Sequence, residues 1–453
     1  MKPRDLNVLC ILLLLSGCAR FQPDHSGMLD DYVPAEYAQG SGAEPFQERW
    51  WESFDSPELN QIMQEALTNN LGLAQYSARL KQQAALARKT GAAKYPSLSG
   101  TGSAGITWPD IEEGSSTEAY RLGLTASYEI DLWGRINASS QAALENARAS
   151  MYDLSSARIT LSANIADAWL SIIAQQRSIE LLHNQLTANL NALELLKVRQ
   201  RNGVSSALEV YQQQQIVEST RAIIPSAELQ LDLLKSQLAI LLGRGTGPDL
   251  EIRTRTAPQL PPLPAAGLPA DLLEKRPDIQ AEYQRLLGKD YGVAIARADR
   301  LPTITLTGSI SDTETALSDL LDSWAANLAA GLAAPLIDGG RRRAEVDYQL
   351  ARVEEGVASY RQKVITAISE VDNALLREQK IREQLALQQE QLAALEQQLN
   401  EAVIRYRSGL TEYLNVLSAL ASKQNLERNL INTELNLYSA RIELCRALGG
   451  SAQ

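Results

Sequence analysis

Histidine and cysteine, two residue types that often act as nucleophile, base or metal ligand, are scarce in this sequence. The 453 residues include two histidines, His25 and His183, and three cysteines, Cys10, Cys18 and Cys445. They form no cluster with metal-ligand spacing, and neither histidine can be paired with a nucleophile. The sequence therefore predicts no catalytic site, no metal site and no cofactor.

A phosphate-binding loop is not expected either, although one segment has the matching glycines. Residues 100–105 read Gly-Thr-Gly-Ser-Ala-Gly, which fits the G-x-G-x-x-G pattern. In dinucleotide-binding proteins that pattern opens a helix, whereas here it lies inside a segment of alternating polar and apolar residues. Nucleic-acid binding is not expected, because 54 acidic residues outnumber 43 basic ones and no basic block is present.

Cys18 is the one residue for which the surrounding sequence predicts a chemical modification. A basic N-terminus is followed by a short apolar run over residues 8–15. The next residues, Leu15-Ser16-Gly17-Cys18, resemble a bacterial lipobox. We therefore expect residues 1–17 to be a lipoprotein signal peptide and Cys18 to carry lipid. The alternative is an ordinary signal peptide that is cleaved near Gly17.

The rest of the chain is organised as two copies of one unit, offset by 206 residues. Residues 135–201 and 341–407 carry apolar residues spaced alternately three and four apart, which predicts one long helix in each copy. At ~1.5 Å per residue, each helix is about 100 Å long. A duplication of a whole structural unit is predicted because further landmarks share the offset: Pro96 and Pro302, Gly134-Arg135 and Gly340-Arg341, Gly203 and Gly409, Leu242-Gly243 and Leu448-Gly449.

Each copy also contains two segments in which polar and apolar residues alternate. These are residues 97–108 and 120–132 in the first copy, and residues 303–311 and 323–336 in the second. Each segment is close to the ~9–11 residues of a tilted membrane strand. We expect one face of these strands to contact lipid and the polar face to line a water-filled interior.

Two carboxylates fall on polar positions at the end of the second segment. Glu129 and Asp131 alternate with apolar residues, so we expect both to face the lumen. There they would bias the interior towards cations, although solvated carboxylates without such a role fit the pattern equally well.

A turn and a return helix complete each copy. The turns are Asn202-Gly203-Val204-Ser205 and Ser408-Gly409-Leu410-Thr411, and return helices are predicted over residues 205–242 and 411–448. The expected division of the chain is an N-terminal arm over 18–60, a first repeat over 61–250, a Pro-rich linker over 251–268 and a second repeat over 269–449.

A single chain cannot complete the predicted membrane structure. It supplies four strands, and a sheet inside a membrane cannot keep open edges. Two copies would give eight strands, whose interior side chains would fill, whereas three copies would give twelve strands around a possible water-filled lumen. The sequence thus favours an oligomer.

Several motifs in the chain resemble one known family, the outer membrane factors. These are the TolC-like exit ducts of tripartite efflux pumps, and the chain resembles their NodT-type lipoprotein branch. The resemblance implies a mainly α fold with a transmembrane β-barrel, in which a trimer completes a twelve-stranded barrel and a long periplasmic α-barrel. The matching motifs are Trp50-Trp51 with Phe54-Asp55 and Leu59-Asn60, residues 128–135 (YEIDLWGR), residues 268–279 (LPADLLEKRPDI) and residues 338–342 (DGGRR).

The same resemblance implies a passive channel that conducts small molecules such as drugs, toxic compounds or ions. It also implies a periplasmic adaptor, an inner membrane pump, and sorting of the lipoprotein to the outer membrane, which Ala19 after the modified Cys18 favours. In relatives the hairpin tips meet the adaptor, and these tips correspond to residues 202–205 and 408–411. A leucine that closes the tunnel corresponds to Leu414, which could instead pack between helices.

Two positions depart from the family pattern, and other functions stay open. Ser418 and Ala421 stand where relatives often carry an Asp and an Arg, so an ionic lock is in doubt at this tunnel end. Type I protein secretion is an alternative to efflux. A lipid-anchored periplasmic coiled-coil scaffold, or the adaptor itself, would explain the long helices but not the four alternating strands.

Overall fold

The computed structural model describes residues 23–25, 27–38, 46–47, 49–110, 115–245 and 250–450. The predicted signal peptide, residues 1–17, and Cys18 lie outside these residues. The chain divides into two compact units. The sheet unit comprises Met1–Asp30, Ala78–Tyr152 and Gln280–Gln362, and the hairpin unit comprises Asp31–Ser77, Asp153–Ile279 and Lys363–Gln453.

From Leu71 and Pro277 onwards, the two sequence repeats fold into the same series of one helix, two strands, a long helix and a return helix. The first repeat begins with one further helix, and in the second repeat a four-residue helix, Leu272–Lys275, precedes the series. The two long helices cover the same residues as the two apolar-patterned stretches of the sequence. The first repeat comprises α1 (Pro57–Asn69), α2 (Leu71–Gly91), β1 (Ser97–Asp110), β2 (Ser115–Ile130), α3 (Arg135–Arg201) and α4 (Ala207–Leu241). The second comprises α5 (Pro277–Ala298), β3 (Thr303–Glu314), β4 (Ala325–Ala333), α6 (Arg341–Arg407) and α7 (Tyr413–Ala447).

The four strands form one antiparallel sheet in the order β1-β2-β3-β4. The register places polar residues beside polar ones, as in the row Ser99, Thr125, Ser309 and Asn327. The next row holds Leu98, Ala126, Gly308 and Leu328. Successive side chains of a strand point to opposite faces, so the sheet has one polar face and one largely apolar face.

All four strands differ in extent from the sequence-based expectation, and β1 and β3 continue two and three residues past their predicted ends. Strand β2 begins at Ser115, five residues before the predicted start, because its pairing with β1 continues to Asp110. Strand β4 covers only Ala325–Ala333 of the predicted 323–336. Its start is delayed because Asp312 Oδ2 accepts hydrogen bonds from the amides of Leu321 and Ser323. Pro335, just after its end, has no amide hydrogen for a ladder.

The N-terminal end of the first repeat lies earlier than the sequence indicated. Helix α1 begins at Pro57, inside the stretch assigned to the arm, because the Ser56 side chain accepts a hydrogen bond from the Leu59 amide and caps the helix. The preceding 3₁₀ turn, Trp50–Phe54, buries its aromatic rings in the core of the hairpin unit. These aromatic residues therefore belong to the folded core.

Within the hairpin unit, hydrogen bonds and ion pairs show which helices are neighbours. Helix α3 contacts α4 where Gln175 Nε2 donates to the Ala227 carbonyl at 2.8 Å. It contacts α7 through the ion pair of Arg177 with Glu434, at 2.7 Å. Helix α7 in turn contacts α6 through Arg441 and Glu378. Helix α4 also contacts α7, where the Tyr413 hydroxyl donates to Gln213 Oε1, and α6, where the Tyr406 hydroxyl donates to Glu209 Oε2.

No helix in the described ranges combines the length and the apolar character needed to cross a bilayer.

Candidate functional site: the polar strand face and the hairpin tips

The two carboxylates predicted to face a lumen both have partners in the sheet unit. Arg135 Nη2 donates to both Glu129 carboxylate oxygens at 2.8 Å. Asp131 lies just beyond β2, and its oxygens accept from the amides of Ile136 and Asn137 at 2.9 and 2.8 Å. A carboxylate at a helix N-terminus satisfies free amides and interacts favourably with the helix dipole. Asp131 therefore positions the start of α3.

The start of the second long helix, α6, is held in a similar way. Asp338 accepts hydrogen bonds from the amides of Gly340 and Arg342, at 3.1 and 3.2 Å. Burial alone would raise the pKa of Asp338, but the hydrogen bonds and charge of Arg342 outweigh it and lower the pKa. The motif that reads Asp-Gly-Gly-Arg-Arg thus fixes where α6 begins.

The two hairpin tips have the same backbone conformation in the hairpin unit. Gly203 and Gly409 have φ values of 75° and 73°, and each follows the last turn of a long helix. The amides of Gly203 and Val204 donate to the carbonyls of Gln200 and Arg199, which is the Schellman pattern. The amides of Gly409 and Leu410 repeat this pattern. The glycines therefore end both helices in the same way.

Side chains join the first tip to the second. The hydroxyl of Tyr406 donates to Glu209 Oε2 at 3.1 Å and lies 3.3 Å from Ser205 Oγ. The Tyr413 hydroxyl donates to Gln213 Oε1 at 2.8 Å, and its ring centroid lies 5.1 Å from that of Tyr406. These contacts make the two tips one cluster.

Burial shapes the chemistry of the two tyrosines. It raises the pKa of Tyr413 to about 12, and it also raises the pKa of Tyr406. Both hydroxyls therefore stay protonated, and able to donate, at physiological pH. Sequence reasoning missed this cluster. The available signal was a difference between the copies: at an offset of 206 residues, Gln200 and Ala207 occupy the corresponding first-copy positions.

The outermost tip residues expose apolar side chains. Val204 is 62% exposed, Leu410 is 77% exposed, and Leu414 is 54% exposed in the single chain. Leu414 lies beside buried Tyr413, on the side of α7 that faces away from the hairpin core. The structure therefore brings the predicted docking residues together at one end of the hairpin unit and leaves Leu414 free to contact something outside the chain.

A buried polar layer crosses the hairpin unit behind the tips. Asn189 is fully buried in α3 and its Nδ2 donates to Thr220 Oγ1 of α4 at 3.1 Å. Gln424 Nε2 of α7 donates to Asn189 Oδ1 at 3.0 Å, and Gln213 Nε2 of α4 donates to the Asn189 carbonyl at 2.9 Å. Buried polar groups at helix contacts fix register when all are paired.

The remaining reactive residue types are placed apart from one another. The Cys445 thiol is buried in α7, and burial raises its pKa to about 12, which makes it a poor nucleophile. In the sheet unit His25 Nε2 lies 2.6 Å from Asp290 Oδ2. Cys18 lies outside the described residues, so its lipidation stays a prediction.

Known proteins with paired strands and long helical hairpins are similar to this chain in sequence and in fold. The family model described as outer membrane efflux protein matches residues 62–244 and 268–450. Both ends of the second match lie 206 residues after those of the first. The family unit is therefore the repeat that the sequence offset predicted.

Individual relatives cover nearly the whole chain. The sequence is 31% identical to the pyoverdine export outer membrane protein OpmQ of Pseudomonas aeruginosa, over 100% of this chain and 98% of that protein. It is 28% identical to the cation efflux system protein CusC of Escherichia coli K12, over 99% and 100% of the two chains. The solved outer-membrane channel OprN superposes with a TM-score of 0.86 at 27% identity, over 95% of this chain and 99% of that one.

The fold and the relatives show that this protein is a component of a membrane transport system. The chain belongs to the outer membrane efflux protein family. Its function is that of the outer membrane component of an efflux system, as the sequence motifs predicted.

Proposed function

We propose that three copies of the chain assemble into a passive exit duct for small molecules. The four-stranded sheet is the observation that carries this proposal, because β1 and β4 each pair with a described strand on one side only. A sheet in a membrane cannot leave such edges unpaired. Pairing β4 of one copy with β1 of the next would close twelve strands around a lumen lined by the polar face.

The hairpin unit supports the same closure. Helices α4 and α6 both expose large apolar side chains in the single chain. A neighbouring copy of the chain would cover them. These residues are Leu208, Tyr211, Leu229, Leu233 and Ile240 on α4, and Leu387 and Ile404 on α6.

The partners of the duct are inferred from the hairpin tips and from the predicted lipid anchor at Cys18. The exposed apolar side chains of Val204 and Leu410 suit docking of a periplasmic adaptor, with residues 202–205 and 408–411 as the contact surface. An inner membrane pump would supply the energy, and lipid on Cys18 would anchor the chain to the outer membrane. Leu414 is the candidate constriction of the tunnel. No catalytic step is part of the proposal.

The cargo class is proposed only as small molecules. OpmQ is named for pyoverdine export, CusC for cation efflux, and a 30% identical relative, SrpC of Pseudomonas putida, is named a solvent efflux pump protein. Relatives of similar identity thus carry names with different cargoes, and the shared fold does not select among them.

The mass of the protein in mild detergent tests the assembly. We expect the mass of a trimer for the natural chain. Leu229→Asp should give monomers that keep their helical circular dichroism, because Leu229 is 60% exposed in one chain and a carboxylate would be buried unpaired at each closed contact. Glu228→Gln on the adjacent exposed position is the matched control and should remain a trimer.

A folded monomer for the natural chain would contradict closure. That result would favour a lipid-anchored scaffold instead of a duct.

A further inference from the structure

Among the described side chains on the polar face of the sheet, one charged residue has no acidic partner. Arg121 lies on this face of β2, in the row that pairs it with Ser103 of β1 and Thr313 of β3. It is exposed, and its Nε donates to Thr313 Oγ1 at 3.1 Å. No carboxylate of the described residues forms an ion pair with it. The rows around it hold Ser, Thr, Gly, Ala and Asn.

The acidic groups of the sheet do not offset this charge. Glu129, the one other charged residue among the described side chains of the polar face, is bound by Arg135 at 2.8 Å. Asp131 is engaged by the start of α3. Asp312, Glu314 and Glu118 alternate onto the opposite face in the observed register. Among the described side chains, the polar face therefore carries one positive charge without an acidic partner, at Arg121, which is the opposite of the cation bias that Glu129 and Asp131 would have given.

We propose that Arg121 sets the charge preference of the barrel lumen and favours anionic cargo, such as carboxylate- or phosphate-bearing compounds, over cationic cargo. The inference rests on the proposed trimeric barrel, in which three copies of Arg121 form one ring. Its position nearer Ser115 than Ile130 places the ring towards the loop-bearing end of the strands. A guanidinium keeps its charge at every physiological pH and offers several donors to a passing anion.

The ring should change local concentrations of charged solutes measurably. At ~5 Å in water, one unit charge alters the local concentration of a univalent ion about fourfold, and salt near 0.1 M reduces this to about twofold. The effects on anions and cations have opposite signs. Their ratio beside Arg121 should therefore differ from the ratio without the charge by about fourfold near 0.1 M salt and by about sixteenfold at low salt.

Cysteine labelling beside Arg121 tests the proposal without requiring an open tunnel. Ser103→Cys places a thiol directly across from Arg121, where paired Cβ atoms are ~5 Å apart. Ala104→Cys, one residue further, is the matched control on the opposite face. Purified trimers are reacted with an anionic (sulfonatoethyl) and a cationic (trimethylammonioethyl) methanethiosulfonate, and the two rates are compared. The chain without an added cysteine gives the background.

The expected result is fast labelling of Ser103→Cys with an anionic-to-cationic rate ratio that depends on residue 121. Near 0.1 M salt, Arg121→Gln should lower the ratio about fourfold, Arg121→Glu should lower it further, and Arg121→Lys should restore it. Ala104→Cys should react slowly with both reagents.

Two other outcomes have different meanings. If Ser103→Cys reacts but the ratio is the same with Arg, Gln and Glu at position 121, the charge preference is wrong and the barrel stands. If Ala104→Cys reacts quickly and Ser103→Cys does not, the assignment of the two faces is wrong, and the proposed duct fails together with the role of Arg121.

Discussion

The two repeats make the same backbone contact with different side chains. At the first junction, the end of α4 (Leu241–Gly243) meets Asn69 and Asn70, and Asn70 Nδ2 donates to the Leu241 carbonyl at 2.8 Å. At the second junction, the end of α7 (Ala447–Gly449) meets Lys275 and Arg276, and Arg276 Nη1 donates to the Ala447 carbonyl at 3.2 Å. These positions correspond through the offset of 206 residues.

The side chains differ in charge. Asn70 is neutral and also accepts from the Leu73 amide at 2.9 Å. Arg276 is 4% exposed and binds Asp278 and Glu370, at 2.8 and 2.7 Å. The close approach at a glycine is therefore what the duplicated unit retains, whereas the group that satisfies the helix-end carbonyl varies. The motif at residues 268–279, which resembles the family most specifically, is thus a structural ion cluster.

The largest expected effect follows from the glycine at the first junction. Gly243 has a φ of 73°, and a Cβ there would lie 2.3 Å from the Asn69 carbonyl oxygen. Gly243→Ala combines left-handed strain with a backbone clash and should lower the free energy of unfolding by about 4 kcal/mol. A denaturant titration of the helical circular dichroism measures this loss.

Gly203→Ala at the first hairpin tip separates the cost of left-handed backbone strain from the cost of the backbone clash. Gly203 has nearly the same φ, 75°, but no heavy atom lies within 4 Å of its added Cβ. The substitution should therefore cost only the strain, about 1–2 kcal/mol. Equal losses at both glycines would show that the close contact at the first junction does not contribute.

Removing the arginine of the second junction should have the next largest effect. Arg276→Met leaves Asp278 with Lys363 and Glu370 with Arg446 as their remaining basic partners, and it removes the donor to the Ala447 carbonyl. Because both carboxylates are partly solvated, we expect the lower end of the usual cost, about 3 kcal/mol. Asn70→Ala, the matched change at the first junction, should cost about 1–2 kcal/mol. The same denaturant titration compares the two variants. A larger loss of unfolding free energy for Asn70→Ala than for Arg276→Met would contradict the claim that the charged junction contributes more.

The smallest effect is a pH dependence confined to the second junction. Burial alone would raise the pKa of Asp278, but the hydrogen bonds and charges of Arg276 and Lys363 outweigh it and hold the pKa well below its usual range. Since the folded pKa is the lower one, this carboxylate stabilises the fold fully above about pH 4 and loses that contribution as the pH falls towards the folded value.

Asp278→Asn removes this titration. The stability gap between the natural chain and the variant should therefore narrow between about pH 5 and about pH 3. Melting curves across that range give the measurement, with Asn70→Ala as the control whose gap should not depend on pH. A stability difference between the natural chain and Asp278→Asn that grows as the pH falls would contradict the lowered pKa of Asp278.

The sequence predicted the parts of the fold that repeat regularly. Apolar spacing placed both long helices over Arg135–Arg201 and Arg341–Arg407, since the period of a helix and the period of a strand leave different patterns. Alternation assigned the faces of the sheet in the same way, as the row of Ser99, Thr125 and Ser309 shows.

The missed features depend on contacts between distant residues. Periodicity marks Asn189 as a polar interruption of an apolar stripe, but it does not name Gln213 and Gln424 as partners. Asp131 was interpreted as a lumen carboxylate because it continues the alternation of β2, whereas the structure ends the strand at Ile130 and uses Asp131 to cap α3. The lumen-facing role of Glu129 stays a prediction, now with its charge offset by Arg135.

Single-channel conductance in planar bilayers tests the central claim most directly. The account predicts that the purified trimer gives discrete conductance steps, and that Leu414→Ala makes them larger or more frequent because Leu414 is exposed at the candidate constriction. Glu228→Gln serves as the control and should leave the steps unchanged. Folded trimers that pass no current, either as the natural chain or as Leu414→Ala, would contradict the proposal that this protein is an exit duct.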